Sequence, residues 1–132
     1  EMCIRDRFES NFVSLEIPKN NSVMFGSLSG TKLGVWVAHG EGKFEFPYEE
    51  KEYNIIAKYN YDGYPANPNG SPWSVAGVCS KDGRHLAMMP HPERAIFPWQ
   101  CGYYPADRKE NDEVTPWIEA FVNARKWIEN NK

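Results

Sequence analysis

The stretch that most limits how this chain can fold is Leu33-Gly34-Val35-Trp36-Val37-Ala38-His39, which is nearly continuous in apolar residues. A strand with one wet face alternates, whereas an unbroken apolar run is expected where both faces are covered, so residues 33–39 predict a buried sheet centre. Gly40-Glu41-Gly42 comes next, at the carboxyl end of that strand. Two glycines let the backbone turn sharply or approach a ligand closely, and open α/β sheets bind ligands at such ends. His39, Gly40, Glu41 and Gly42 are therefore a candidate binding turn.

The remaining segments supply neighbours for that strand. Residues 12–17 alternate and read as a strand stopped by Pro18. Residues 43–46 predict a short strand before Pro47, and residues 53–59 another. Residues 73–79 and 84–89 alternate around Lys81-Asp82-Gly83, a hairpin signal. Between them, residues 61–72 hold Pro65, Pro68 and Pro72 with Gly63, Gly70, Asn67 and Asn69, which makes a stiff, irregular loop of the length that carries function. Residues 95–107 read as a packed aromatic loop. A helix is expected from Thr115 as N-cap and Pro116 at its first position, burying a stripe of Trp117, Phe121, Ala124 and Ile128.

Size and charge narrow the function. The 132 residues suffice for one core and one domain. A net charge of -3 without a long basic run argues against a nucleic-acid surface. No apolar run approaches the ~18 residues of a membrane span, and no secretory pattern opens the chain. Cys3, Cys79 and Cys101 are an odd set without CxxC spacing, which disfavours a disulfide framework or zinc site and suggests a reducing cytoplasm. Residues 1–7 lack the apolar periodicity of the rest of the chain and read as a non-native leader, leaving residues 8–132 as the domain.

The chemistry concentrates in Met88-Met89-Pro90-His91-Pro92-Glu93-Arg94. Pro92 pushes His91 out of the α region into an extended conformation, where positions i and i+2 share a side. His91 and Glu93 are thus expected to meet. A carboxylate at one imidazole nitrogen fixes the tautomer and leaves the other nitrogen to move protons. No cysteine or serine stands between the small residues that a nucleophile elbow requires, so the nucleophile of such a triad is expected outside this chain. The same residues offer a competing use, since His39, Glu41, His91 and Glu93 form two His-x-Glu pairs that suit a zinc or iron ion. A GxxxxGK[ST] phosphate cradle is missing.

Val37-Ala38-His39-Gly40-Glu41-Gly42, Tyr64-Pro65-Ala66-Asn67-Pro68-Asn69-Gly70-Ser71-Pro72 and Met88 to Arg94, in this order, resemble the carboxyl-terminal part of the class I glutamine amidotransferase domain of phosphoribosylformylglycinamidine synthases. Residues 116–126 are similar to the end of the long single-chain form. The resemblance implies an α/β fold, the C-terminal half of a flavodoxin-like glutaminase domain with hairpin strands and a terminal amphipathic helix. It implies His91 as general base and acid, Glu93 as its orienting carboxylate, and His39, Gly40, Glu41 and Gly42 as the loop that holds glutamine. It further implies ammonia transfer to a synthetase domain of the same full-length chain, where ATP and Mg2+ act. No cofactor and no metal are expected in this segment, nor a nucleic-acid or membrane partner. The family's nucleophile cysteine and oxyanion loop lie in the amino-terminal half, so this segment alone is expected to be inactive. The loop 67–71 is expected to line the same pocket or the synthetase interface. Two other readings are a non-catalytic glutaminase-like interaction module and a metal-dependent hydrolase. Loss of half a parallel sheet would also leave a long unpaired edge prone to association.

Overall fold

The computed structural model describes residues 8–131. Strands β1 (Glu9–Glu16), β2 (Lys32–His39), β3 (Asn54–Tyr59), β4 (Val75–Cys79) and β5 (Leu86–Met88) form one sheet in the order β2-β1-β3-β4-β5. Each neighbouring pair is antiparallel. The architecture is thus mixed α/β, a curled antiparallel sheet with a helix at its end. Alternation in β1 turns Val13 and Leu15 inward, with Ile17 beyond them, opposite the fully buried Val35 and Val37 of β2.

Residues 33–39 do form a strand, but at the end of the sheet order rather than at its centre. The run is apolar on both faces because the outer face is covered by side chains and a loop instead of by further strands. Phe12 meets Trp36 edge-on at 5.0 Å, and the Trp36 indole N–H donates to the Gln100 carbonyl at 2.7 Å. On the outer edge of β2, the His91 N–H donates to the Trp36 carbonyl at 2.8 Å in an isolated antiparallel bridge. Because His91 follows β5, this bond brings the two ends of the sheet together. The expected open parallel edge is replaced by a sheet tied to itself at His91.

Residues 43–46 are not a strand. The Phe44 N–H donates to the Ser71 hydroxyl oxygen at 3.1 Å, while Phe46 stacks on Phe44 at 5.5 Å and on Trp73 at 5.2 Å. β4 begins at Val75 rather than at Trp73, because Trp73 and Ser74 hold positive φ values of 55° and 57° that no strand accommodates.

Among the described residues two α-helices follow the sheet, α1 (Ala106–Lys109) and α2 (Ile118–Asn130). Thr115 is not the N-cap; its hydroxyl donates to the Ala95 carbonyl at 2.5 Å, and Trp117 caps α2 without a side-chain bond. The buried stripe is also displaced from the expected one. Trp117 and Ala120 are buried, Phe121 and Ile128 are exposed, and Asn123 bonds the Met24 carbonyl at 3.0 Å. Only the first turn of α2 enters the core, so a full amphipathic face is not needed. Trp117 anchors it, edge-on to Phe25 at 5.8 Å with its indole N–H on the Gly34 carbonyl at 2.8 Å. Burying an aromatic of this kind removes ~150–250 Å² from water, worth at most about 4–6 kcal/mol.

Candidate functional site

Residues 89–94 turn off the end of β5, where the Met89 N–H still donates to the Ala76 carbonyl at 3.0 Å. His91 then pairs with Trp36, and Pro92–Arg94 form a single 3-10 turn closed by the Arg94 N–H on the His91 carbonyl at 3.0 Å. His91 Nδ1 and Glu93 Oε1 lie 2.7 Å apart. The two side chains meet as expected, by a different route. Pro92 keeps His91 out of the helix, but proline suits the first helical position, so Glu93 folds back on a tight turn instead of lying along an extended strand. Glu93 thereby selects Nε2 as the nitrogen available for proton transfer. Beside the pair lies a cavity of about 280 Å³, whose lining includes Met24, Leu86, Met88, His91, Glu93 and Phe121.

His39 ends β2 on the core face, directly across the ladder from Glu9. Glu9 is itself buried and accepts a hydrogen bond from the Tyr64 hydroxyl at 3.4 Å. Burial lowers the His39 pKa below the ordinary imidazole value of 6.5; its own backbone and Glu9 oppose the change, and the charge of His91 adds to it. Gly42 is buried against the ring, and a Cβ there would sit 2.1 Å from Cε1 and 2.2 Å from Nδ1 of His39. Gly40 is half-buried and Glu41 exposed. None of the four lines the cavity beside His91.

The 67–71 loop clasps this turn. The Asn67 side chain bonds the Ser71 backbone twice, its amide N–H donating to the Ser71 carbonyl at 2.9 Å and its Oδ1 accepting the Ser71 N–H at 3.1 Å. The Ser71 hydroxyl so positioned accepts the Phe44 N–H and approaches the Gly42 carbonyl at 3.5 Å. Asn67 and Ser71 are both buried, and the loop's contacts therefore hold the backbone of residues 42–44. Glu9 and Tyr64 did not stand out in the sequence. For Glu9 there was a signal, a carboxylate at an inward position of an alternating strand.

Among the described residues no group of three or more His, Cys, Asp or Glu could hold a metal ion, so the two His-x-Glu pairs do not converge on one. Burial pushes the thiols of Cys79 and Cys101 up, and both are free of disulfides. Thiols so shifted are poor nucleophiles. Cys3 and the 1–7 stretch lie outside the described residues. No helix among those residues is long and apolar enough to cross a membrane.

An acid-oriented histidine and a glycine turn, on a curled sheet with a tryptophan-anchored helix, define a class that comparison identifies. Residues 4–128 match the CobB/CobQ-like glutamine amidotransferase domain, and the chain belongs to that family. Among individual proteins, it is 43% identical over 137 residues to the probable phosphoribosylformylglycinamidine synthase, chloroplastic/mitochondrial, of Arabidopsis thaliana, covering 94% of this chain and 10% of that protein. The phosphoribosylformylglycinamidine synthase of Homo sapiens is also 43% identical, over 133 residues, with 92% and 10% covered. The chain thus spans about a tenth of the length of these relatives. The solved structure of PurLQS from Thermotoga maritima shares the fold, with a TM-score of 0.69 at 23% identity over 93% of this chain and 49% of that one.

Proposed function

We propose that this chain is the carboxyl-terminal part of the glutaminase domain of a phosphoribosylformylglycinamidine synthase. The observation that carries the reading is the His91–Glu93 contact of 2.7 Å, formed within a chain that matches an amidotransferase family over residues 4–128. In the complete domain, a cysteine from the other half attacks the side-chain amide carbon of glutamine. His91 Nε2 takes the thiol proton and gives it to the departing ammonia. It then draws a proton from the water that cleaves the thioester to glutamate. Glu93 holds the tautomer and stabilises the imidazolium. His39, Gly40, Glu41 and Gly42 hold the glutamine head group. The complete fold is the flavodoxin-like class I glutaminase, of which this sheet and helix are half.

Ammonia passes from there to the synthetase domain of the same polypeptide, which uses ATP and Mg2+ to convert formylglycinamide ribonucleotide to the amidine in purine biosynthesis, in the cytoplasm. The raised thiols of Cys79 and Cys101 support a nucleophile from elsewhere, and the isolated segment has negligible glutaminase activity. The test is His91→Ala in the full-length protein. Loss of glutamine-dependent synthesis with ammonia-dependent synthesis intact supports the assignment; glutamine-dependent turnover at the unmodified rate ends it.

A further inference from the structure

Outside the His91–Glu93 pair, the most unusual polar group in the molecule is His39. Both of its ring nitrogens are enclosed and have no hydrogen-bond partner among the described residues. A buried polar group without a partner costs roughly 1–3 kcal/mol, and such groups call for an explanation. Geometry supplies one. The ring occupies the space that a side chain at residue 42 would take, so Gly42 can pack there only because it lacks a Cβ. On the other side of the turn, Ser71 holds Phe44 and approaches the Gly42 carbonyl, itself fixed by Asn67. The 40–44 segment is thus gripped between an imidazole and a serine hydroxyl. An imidazolium in this place would bury a charge and two enclosed N–H donors, with only the residue's own backbone to answer them. The neutral ring avoids both.

We propose that His39 is a positioning residue, an imidazole wedge that packs against Gly42 and sets the Gly40-Glu41-Gly42 turn at the end of β2 without burying a charge there. The purpose of the wedge rests on the glutaminase reading, since it keeps the catalytic imidazolium free of a charged neighbour; its existence does not. The charged and titratable groups that face it are Glu9 from β1, with the Tyr64 hydroxyl upon it, and His91 from the turn after β5, with Glu41 on its own exposed turn. Glu9 favours a charged ring, and burial and His91 oppose it, burial having the largest effect.

The chain has 3 histidines, so a titration followed by NMR of 15N-labelled imidazoles resolves each. In the unmodified chain His39 is expected to hold one neutral tautomer and to gain its proton below the ordinary imidazole range. Protonation at or above that range overturns the proposal. Gly42→Ala is expected to displace the ring, shifting its resonances and returning its midpoint toward the ordinary value. Gly40→Ala is the control, because a Cβ there meets only Phe8, at 3.9 Å. Equal spectra for the two variants, with His39 unmoved, also overturn it.

In the full-length enzyme, His39→Lys places a fixed charge beside His91 and is expected to move the acid limb of glutamine hydrolysis to lower pH. His39→Gln, neutral like the wedge, is expected to leave that limb in place; a limb that moves equally in both variants refutes the uncharged role. Failure of the glutaminase assignment would show in His91→Ala and leave the imidazole titration untouched, so the two readings fail separately.

Discussion

The two histidine turns solve opposite problems. His91 is built by its immediate neighbours, with prolines on both sides, a closing 3-10 turn and a carboxylate at 2.7 Å, and its side chain is 29% exposed. His39 is built from a distance, by Glu9 across the ladder, Gly42 against its ring and a 67–71 loop that clasps the turn. One imidazole is satisfied and open to a reaction partner. The other is enclosed and, among the described residues, has no hydrogen-bond partner on its ring nitrogens. A histidine meant to exchange protons needs a defined tautomer and access, whereas one meant to hold a backbone turn needs packing and no charge. The same side chain serves both uses because burial, more than residue type, decides its protonation.

The sharpest way to break this comparison is to remove the acid-paired, exposed member. His91→Ala in the full-length protein is expected to lower glutamine-dependent kcat by about 10³-fold or more, in keeping with general acid–base catalysis, while ammonia-dependent turnover persists. A steady-state assay with each nitrogen donor checks it. Glu93→Gln keeps the shape but weakens the tautomer and the imidazolium, and a smaller loss of roughly 10²-fold is expected, in kcat more than in KM. A loss confined to KM would instead make Glu93 a binding residue.

The enclosed turn responds in stability. Ser71→Ala strands the Phe44 N–H, and a loss of about 1–2 kcal/mol in denaturant unfolding is expected. The smallest effect is in acid. His39 binds its proton more weakly folded than unfolded, so its contribution to stability is complete above pH 6.5 and is lost as pH falls through the depressed folded value. His39→Gln is expected to flatten the stability-against-pH curve below pH 6.5, and unfolding midpoints measured across that range test it. An unchanged slope would mean that the ring reaches water.

Parts of this molecule were legible in advance because they depend on near neighbours. The inward Val13 and Leu15, the hairpin around Lys81-Asp82-Gly83 and the meeting of His91 with Glu93 follow from alternation, turn chemistry and two prolines. Where reading failed, a distant partner had intervened. Residues 33–39 looked like a sheet centre because Phe12, Gln100 and Trp117 cover an end strand as thoroughly as further strands would. Residues 43–46 looked like a strand, but the Phe44 N–H went to a serine far along the chain. Thr115 looked like a cap, yet its hydroxyl satisfies Ala95.

The sequence by itself therefore determined the His91–Glu93 contact and the amidotransferase family, because both reside in short motifs whose backbone freedom proline and glycine restrict. Only the tertiary structure decided that the sheet is antiparallel and tied through His91 to Trp36, and that His39 is an enclosed wedge. Burial and pairing between remote segments depend on which surfaces the folded chain brings together, and no local pattern encodes that.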